Sequence, residues 1–112
     1  MKIKAAVSAL SALAHDGRLA IYRMLVQAGP AGLAVGRIAK KTEMPGATLS
    51  FHLSALKHAG LVRAERQGRE LIQTADFTNM NALVGYLTDN CCCGGDAMAC
   101  APVVQPVRKK RA

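Results

Sequence analysis

A chain of 112 residues, half of them apolar but only 4% aromatic and none Trp, holds one small domain whose core falls to Ala, Leu and Val. That composition suits packed helices better than a β-sandwich. The net charge of +8 points to a polyanionic partner, nucleic acid or an anionic surface, and no stretch is apolar for long enough to span a bilayer.

Residues 2–14 read as a first helix, with Val7, Leu10 and Leu13 near helical spacing. The same stretch has the outline of a signal peptide, basic at its start and ending in Ala12-Leu13-Ala14. It is too rich in Ala and Ser to be strongly hydrophobic, so the amphipathic helix is preferred. His15-Asp16-Gly17 breaks it, and Asp16 is expected to cap a second helix over 17–27, where Leu19, Ile21, Met24 and Leu25 alternate with Arg18, Arg23 and Gln27. Gly29-Pro30-Ala31-Gly32 predicts a turn. A short helix over 35–41 turns Ile38 and Ala39 inward and Arg37, Lys40 and Lys41 outward. After a connection at 42–46, a helix runs to about Ala59 with Leu49, Leu53 and Leu56 on one face. Gly60 stands where a left-handed helix cap is expected. Residues 61–67 and 69–75 predict a hairpin bent at Gly68. Thr78 or Asn79 is expected to cap a last helix reaching about Asn90, with Met80, Leu83, Val84 and Leu87 as its apolar stripe. Beyond it, Gly94-Gly95, Pro102 and Pro106 predict an irregular tail ending in flexible basic residues.

These elements describe a mainly α fold with a small β-hairpin, a winged helix-turn-helix. The second helix of the motif carries the physical case. With its leucines inward, a wheel of about 100° per residue puts Ala47, Phe51, Ser54 and His58 on the opposite face, flanked by Thr48 and Ser50. Small polar side chains let a helix enter the major groove and reach base edges, and Ser and Thr can also donate to phosphates. Phe51 is a large apolar residue turned outward; contact with a thymine methyl group and packing against a neighbouring loop are both open. His52 falls beside the leucine stripe. A core-edge histidine bonded to backbone is the preferred reading, and a base reader the other. Lys57, Arg63, Arg66 and Arg69 are candidate phosphate contacts, and Gln67-Gly68-Arg69 forms the wing tip. The candidate DNA-contact set is therefore Thr48, Ser50, Phe51, His52, Ser54, Lys57, Arg66, Gln67 and Arg69.

Leu49-Ser50-Phe51-His52-Leu53, followed by Leu56-Lys57-His58-Ala59-Gly60-Leu61-Val62 and Arg66-Gln67-Gly68-Arg69, resembles the ArsR/SmtB family of repressors. His15-Asp16-Gly17-Arg18-Leu19-Ala20-Ile21 resembles the segment that opens the family's second helix. The resemblance covers roughly residues 5–92. It implies a homodimer built on the first and last helices, bound to an imperfectly palindromic double-stranded DNA operator and blocking transcription until an inducer binds. Residues 1–92 would then form the DNA-binding and dimerisation domain, and 93–112 a metalloid-binding loop and flexible basic tail.

All four cysteines, Cys91, Cys92, Cys93 and Cys100, lie within ten residues. Such a cluster closes only small loops, so a reduced, cytoplasmic chain with a metal-binding or redox role fits better than a secreted disulfide scaffold. Thiolates are soft ligands. Neighbouring thiols converge only where a helix ends; Gly94-Gly95 supplies the flexibility, and the loop to Cys100 can return a third sulfur. Three thiols suit trivalent arsenic or antimony in a trigonal pyramid; four suit tetrahedral zinc or cadmium. Within the resemblance, Leu33-Ala34-Val35-Gly36-Arg37-Ile38 lacks the Cys-x-Cys pair of many arsenic sensors, and the last helix lacks the histidines of the zinc sensors. Asn90-Cys91-Cys92 is similar to a branch with this pair at the end of the last helix and a third cysteine farther on. That implies Cys91, Cys92 and Cys100 as ligands within one chain, with Cys93 an extra thiol that leaves the assignment open. The expected function is a repressor that releases its operator on binding arsenite, needing no cofactor besides that inducer. A zinc-, cadmium- or lead-responsive repressor, a thiol redox sensor and a metal-binding carrier are the other readings. An enzyme is not expected: no cysteine sits in a phosphate-cradling loop, and His15, His52 and His58 are remote from the thiols in sequence.

Overall fold

The computed structural model describes residues 1–90. The elements run α1 (Ile3–Leu13), α2 (Asp16–Ala28), β1 (Leu33–Ala34), α3 (Val35–Thr42), α4 (Gly46–His58), β2 (Val62–Gln67), β3 (Glu70–Ala75) and α5 (Phe77–Thr88), with a single 3-10 turn at Gly29–Ala31. The Cys91, Cys92, Cys93 and Cys100 assignments and the tail lie outside the described residues.

Helix α1 packs on α2, α4 and α5, and it does so through alanines. Ala6, Ala9 and Ala12 are buried, while Ile3, Val7 and Leu10 are exposed. Small side chains let helix axes approach closely, so the core takes the alanine face and leaves the larger apolar residues outside. Of Val7, Leu10 and Leu13, which the spacing singles out, only Leu13 packs against the core. In α2, Ile21, Tyr22 and Leu25 point inward and Leu19 is 45% exposed. The cap of α2 is His15, not Asp16: its Nδ1 accepts from the Gly17 amide at 3.1 Å. Asp16 becomes the first helical residue, where a carboxylate still complements the helix dipole.

A third strand joins the expected hairpin. The sheet order is β1-β3-β2, all antiparallel, with Leu33 opposite Gln73 and Val62 opposite Ala75. Gly32 makes β1 fit. It holds φ +69°, and a Cβ there would collide with the Gln73 carbonyl and lie 2.7 Å from Thr74 Oγ1. Gln67 pairs with Glu70 across a two-residue bend whose first residue, Gly68, has φ +63°, as a tight hairpin turn with glycine at the first central position requires. From Arg63 to Gln67 every residue of β2 is exposed, so the wing projects from the body.

Gly60 does end α4. Its amide bonds the Lys57 carbonyl at 2.9 Å and the Leu61 amide bonds that of Leu56 at 3.0 Å, the paired bonds of a Schellman cap. Helix α5 is capped by Asp76, whose carboxylate accepts from the Asn79 amide at 3.0 Å, in place of the expected Thr78 or Asn79. Asn79 bonds elsewhere: its Nδ2 donates to the Gly60 carbonyl at 2.7 Å. On α5, Leu83 is buried and Met80 packs against the core, but Leu87 is exposed. Among the described residues no helix is long and apolar enough to cross a membrane.

Candidate nucleic-acid interface

The two helices of the motif are held apart by a short, well-bonded turn. Thr42 Oγ1 donates to the Ile38 carbonyl at 2.8 Å and accepts from the Met44 amide at 3.3 Å. Glu43 ends α3 in the left-handed region, and Pro45 precedes α4 with extended ψ. These dihedrals break the helical path, so α4 starts as a separate helix and not as a continuation of α3.

Helix α4 buries Leu49, His52, Leu53 and Leu56. Ala47, Thr48, Ser50, Phe51, Ser54, Lys57 and His58 are exposed. The sorting of leucine and small polar faces thus follows the sequence pattern, and the exposed face is the one suited to a major groove. Beside it lies a groove of about 940 Å³, bounded by α3, α4 and the sheet. Four cations line it, Arg37 and Lys40 from α3, Lys57 from α4 and Arg69 from the wing, against the single acid Glu70. Ser50 and Ser54 share the same wall. At the floor is Gln73, almost wholly buried, whose Oε1 accepts no hydrogen bond among the described residues.

Arg37 and Lys40 were visible in the sequence only as outward charges. What brings them to the site is the packing of α3 beside β1 and β3. Arg66 and Gln67 are exposed at the wing tip, two and one residues before the bend. Arg63 does not join the groove; it lines a separate cleft with Glu65 and Asp76.

His52 is not on the exposed face. It is 6% exposed, and its Nδ1 accepts a hydrogen bond from Arg18 Nε at 3.1 Å. The core-edge placement holds, but the partner is a side chain of α2 and not backbone, and the base-reader assignment is corrected. Accepting at Nδ1 requires the neutral ring with its proton on Nε2. Burial, then the neighbouring His15 ring and the Arg18 charge, pull its pKa below the ordinary histidine value. The His15 and His52 ring centroids are 4.7 Å apart. Phe51 is exposed. The Arg18 guanidinium carbon lies 5.3 Å from its ring centroid, and the His52 ring stands tilted at 5.9 Å.

A recognition helix with a small polar face, a cationic groove beside it and a projecting basic hairpin define a winged helix-turn-helix DNA-binding regulator. A helix-turn-helix domain family matches residues 13–65. The transcriptional activator HlyU of Vibrio cholerae is 32% identical over 82 residues, covering 73% of each chain. The solved structure of HlyU from V. cholerae N16961 has a TM-score of 0.64 at 30% identity, covering 82% of this chain and 99% of that one. A homodimeric winged helix-turn-helix domain, Mb0332 from Mycobacterium bovis, described as a possible ArsR-family transcriptional regulator, has a TM-score of 0.62 at 34% identity over 79% and 82% of the two chains. An ArsR-like transcriptional regulator from Rhodococcus sp. RHA1 has a TM-score of 0.67 at 26% identity over 75% and 76%. The chain belongs to the ArsR-type family of helix-turn-helix transcriptional regulators.

Proposed function

We propose that the protein is a homodimeric repressor that binds an imperfectly palindromic operator and releases it when Cys91, Cys92 and Cys100 bind trivalent arsenic or antimony. The observation that carries this reading is the position of the thiols in the sequence: Cys91, Cys92 and Cys93 follow α5 within five residues, and Cys100 stands a little farther on. That helix packs on α1. Ile3, Val7 and Leu10 on α1 and Leu87 near the end of α5 are large apolar side chains without cover, a surface for a second copy. Mb0332 is described as homodimeric.

In such a dimer the two α4 helices must meet half-sites about 34 Å apart, one turn of DNA. Drawing three soft thiolates around one ion reorganises the chain at the end of α5 and acts on the dimer contact. A change in the spacing of the two α4 helices then weakens operator binding, with a coupling free energy of about 1–3 kcal/mol. A thiol cluster of this kind belongs in a reducing compartment, the cytoplasm.

The test is fluorescence anisotropy of the reduced protein on an operator fragment selected from random DNA, titrated with arsenite. The expected result is release by arsenite in the wild type and none in Cys91→Ser or Cys100→Ser. Superimposable curves with and without arsenite refute the inducer. Release by zinc, cadmium or lead in its place keeps the repressor and changes the metal. A thiol redox sensor is the second reading, supported by the adjacent thiols and by a relative whose structure is described as reduced HlyU. It requires release by peroxide in the absence of metal.

A further inference from the structure

We propose that Phe51 reads a thymine methyl group in the operator and that Arg18 is the residue that positions it. The inference rests on the DNA-binding reading and adds a base preference to it.

Phe51 is 64% exposed in the middle of a helix face whose other exposed residues, Ala47, Thr48, Ser50, Ser54, Lys57 and His58, are small or polar. A phenyl ring has no hydrogen-bonding atoms, so it cannot read the polar edges of bases. The major groove offers it one apolar feature, the C5 methyl group of thymine. A reader must also be held still, and the ring is held. The Arg18 guanidinium lies over it at 5.3 Å, within the range of a cation–π contact.

That guanidinium is itself anchored. Its Nε donates to Nδ1 of His52 at 3.1 Å, and His52 is locked in the core beside Leu53 and Leu56. His15, the cap of α2, stands against the His52 ring, with centroids 4.7 Å apart. The chain of contacts therefore runs from the buried core through His52 and Arg18 to one exposed aromatic ring. It leaves the rest of that ring exposed on the face that carries Ser50 and Ser54. Arg18 is on α2, outside the helix-turn-helix pair, and its charge is directed at the ring and the imidazole.

The experiment uses the full-length reduced protein and a selected operator in which each thymine in turn is replaced by deoxyuridine in both half-sites, which removes only the methyl group. Wild type is expected to bind about fourfold less tightly for each critical methyl lost, the equilibrium worth of one buried methyl group, and about fifteenfold less when both half-sites lose it. Phe51→Ala is expected to bind the thymine and uracil operators alike. Arg18→Gln is expected to reduce the thymine-to-uracil ratio toward one, while Arg18→Lys, which keeps a cation over the ring, retains most of it. A purely structural role for Arg18 would weaken both operators equally and leave the ratio intact. Equal wild-type affinity for every thymine and uracil pair overturns the assignment of Phe51, as does a ratio that survives Phe51→Ala. A full ratio in Arg18→Gln overturns the positioning role. Failure to select any DNA sequence overturns the DNA-binding reading itself, a different outcome from selection without a methyl preference.

Discussion

Salt dependence separates the groove from the rest of the basic surface. Four cations, Arg37, Lys40, Lys57 and Arg69, line one groove of the chain. If each contacts one phosphate, the proposed dimer neutralises about eight, and the logarithm of the binding constant falls with the logarithm of salt concentration at a slope of about −7, at roughly −0.9 per contact. Arg37→Gln removes one contact from each protomer. Its slope should be shallower by about 1.8, with affinity weakened to a similar degree on specific and unrelated DNA. Arg63→Gln removes the same charge from a cleft shared with Glu65 and Asp76, and should leave the slope at the wild-type value. Anisotropy titrations between about 50 and 200 mM salt measure both. Equal slopes for wild type and Arg37→Gln would show that Arg37 does not meet a phosphate, and an equal fall for both variants would show that phosphate contact is not confined to the groove.

Gly32→Ala is expected to destabilise the fold by about 1–3 kcal/mol in urea denaturation, because its φ of +69° and the Gln73 carbonyl leave no room for a Cβ; a wild-type midpoint would show that β1 is not seated as described. His52 is held neutral when folded and its pKa is lowered, so the unfolded chain binds the proton first as pH falls below about 6.5, and stability should decline from there downward. The thermal midpoint of wild type should drop between about pH 6.5 and 5, and less steeply in His52→Gln; parallel profiles refute the linkage. Leu10→Glu, on the exposed face of α1, should give a folded monomer by light scattering with its helical circular dichroism retained, and an unchanged dimer mass would place the interface elsewhere.

What could be read from the sequence was whatever local pattern decides. Leu49, Leu53 and Leu56 share a face by helical period alone, and Gly60 ends their helix because a left-handed cap is a local requirement. Helix α1 shows where that logic stops. Periodicity marks it as amphipathic through Val7, Leu10 and Leu13 but does not say which face packs inward, and close helix packing selects Ala6, Ala9 and Ala12. β1 has two residues, too few to show alternation, and exists only because Gly32 lets the chain approach β3. The caps slipped by one to three residues, since His15 and Asp76 satisfy the first amides as well as the residues expected to do so. Arg18 and Arg37 were legible as charges and not as parts of a site, because their partners are 34 residues away in one case and in a different element in the other.

The hydrogen bond from Asn79 to Gly60 bears on how a signal at α5 could reach the DNA-reading helix. Asn79 is in the first turn of α5, where Asp76 fixes its amide, and its side chain holds the carbonyl of the residue that ends α4, at 2.7 Å. The two helices are thus joined directly, and Gly60 has no slack: a Cβ there would lie 2.9 Å from Asn79 Nδ2. If the proposed inducer displaces α5, that bond would carry the displacement to the end of α4, and loosening it should uncouple the two. Asn79→Ala removes the donor and leaves the partly buried carbonyl short of a partner, at a stability cost of about 1–3 kcal/mol. It should retain operator binding without inducer while the change in affinity on adding arsenite shrinks. An undiminished arsenite response in a folded Asn79→Ala protein would leave the dimer contact of α1 and α5, and not this bond, as the sole route between the thiols and the DNA.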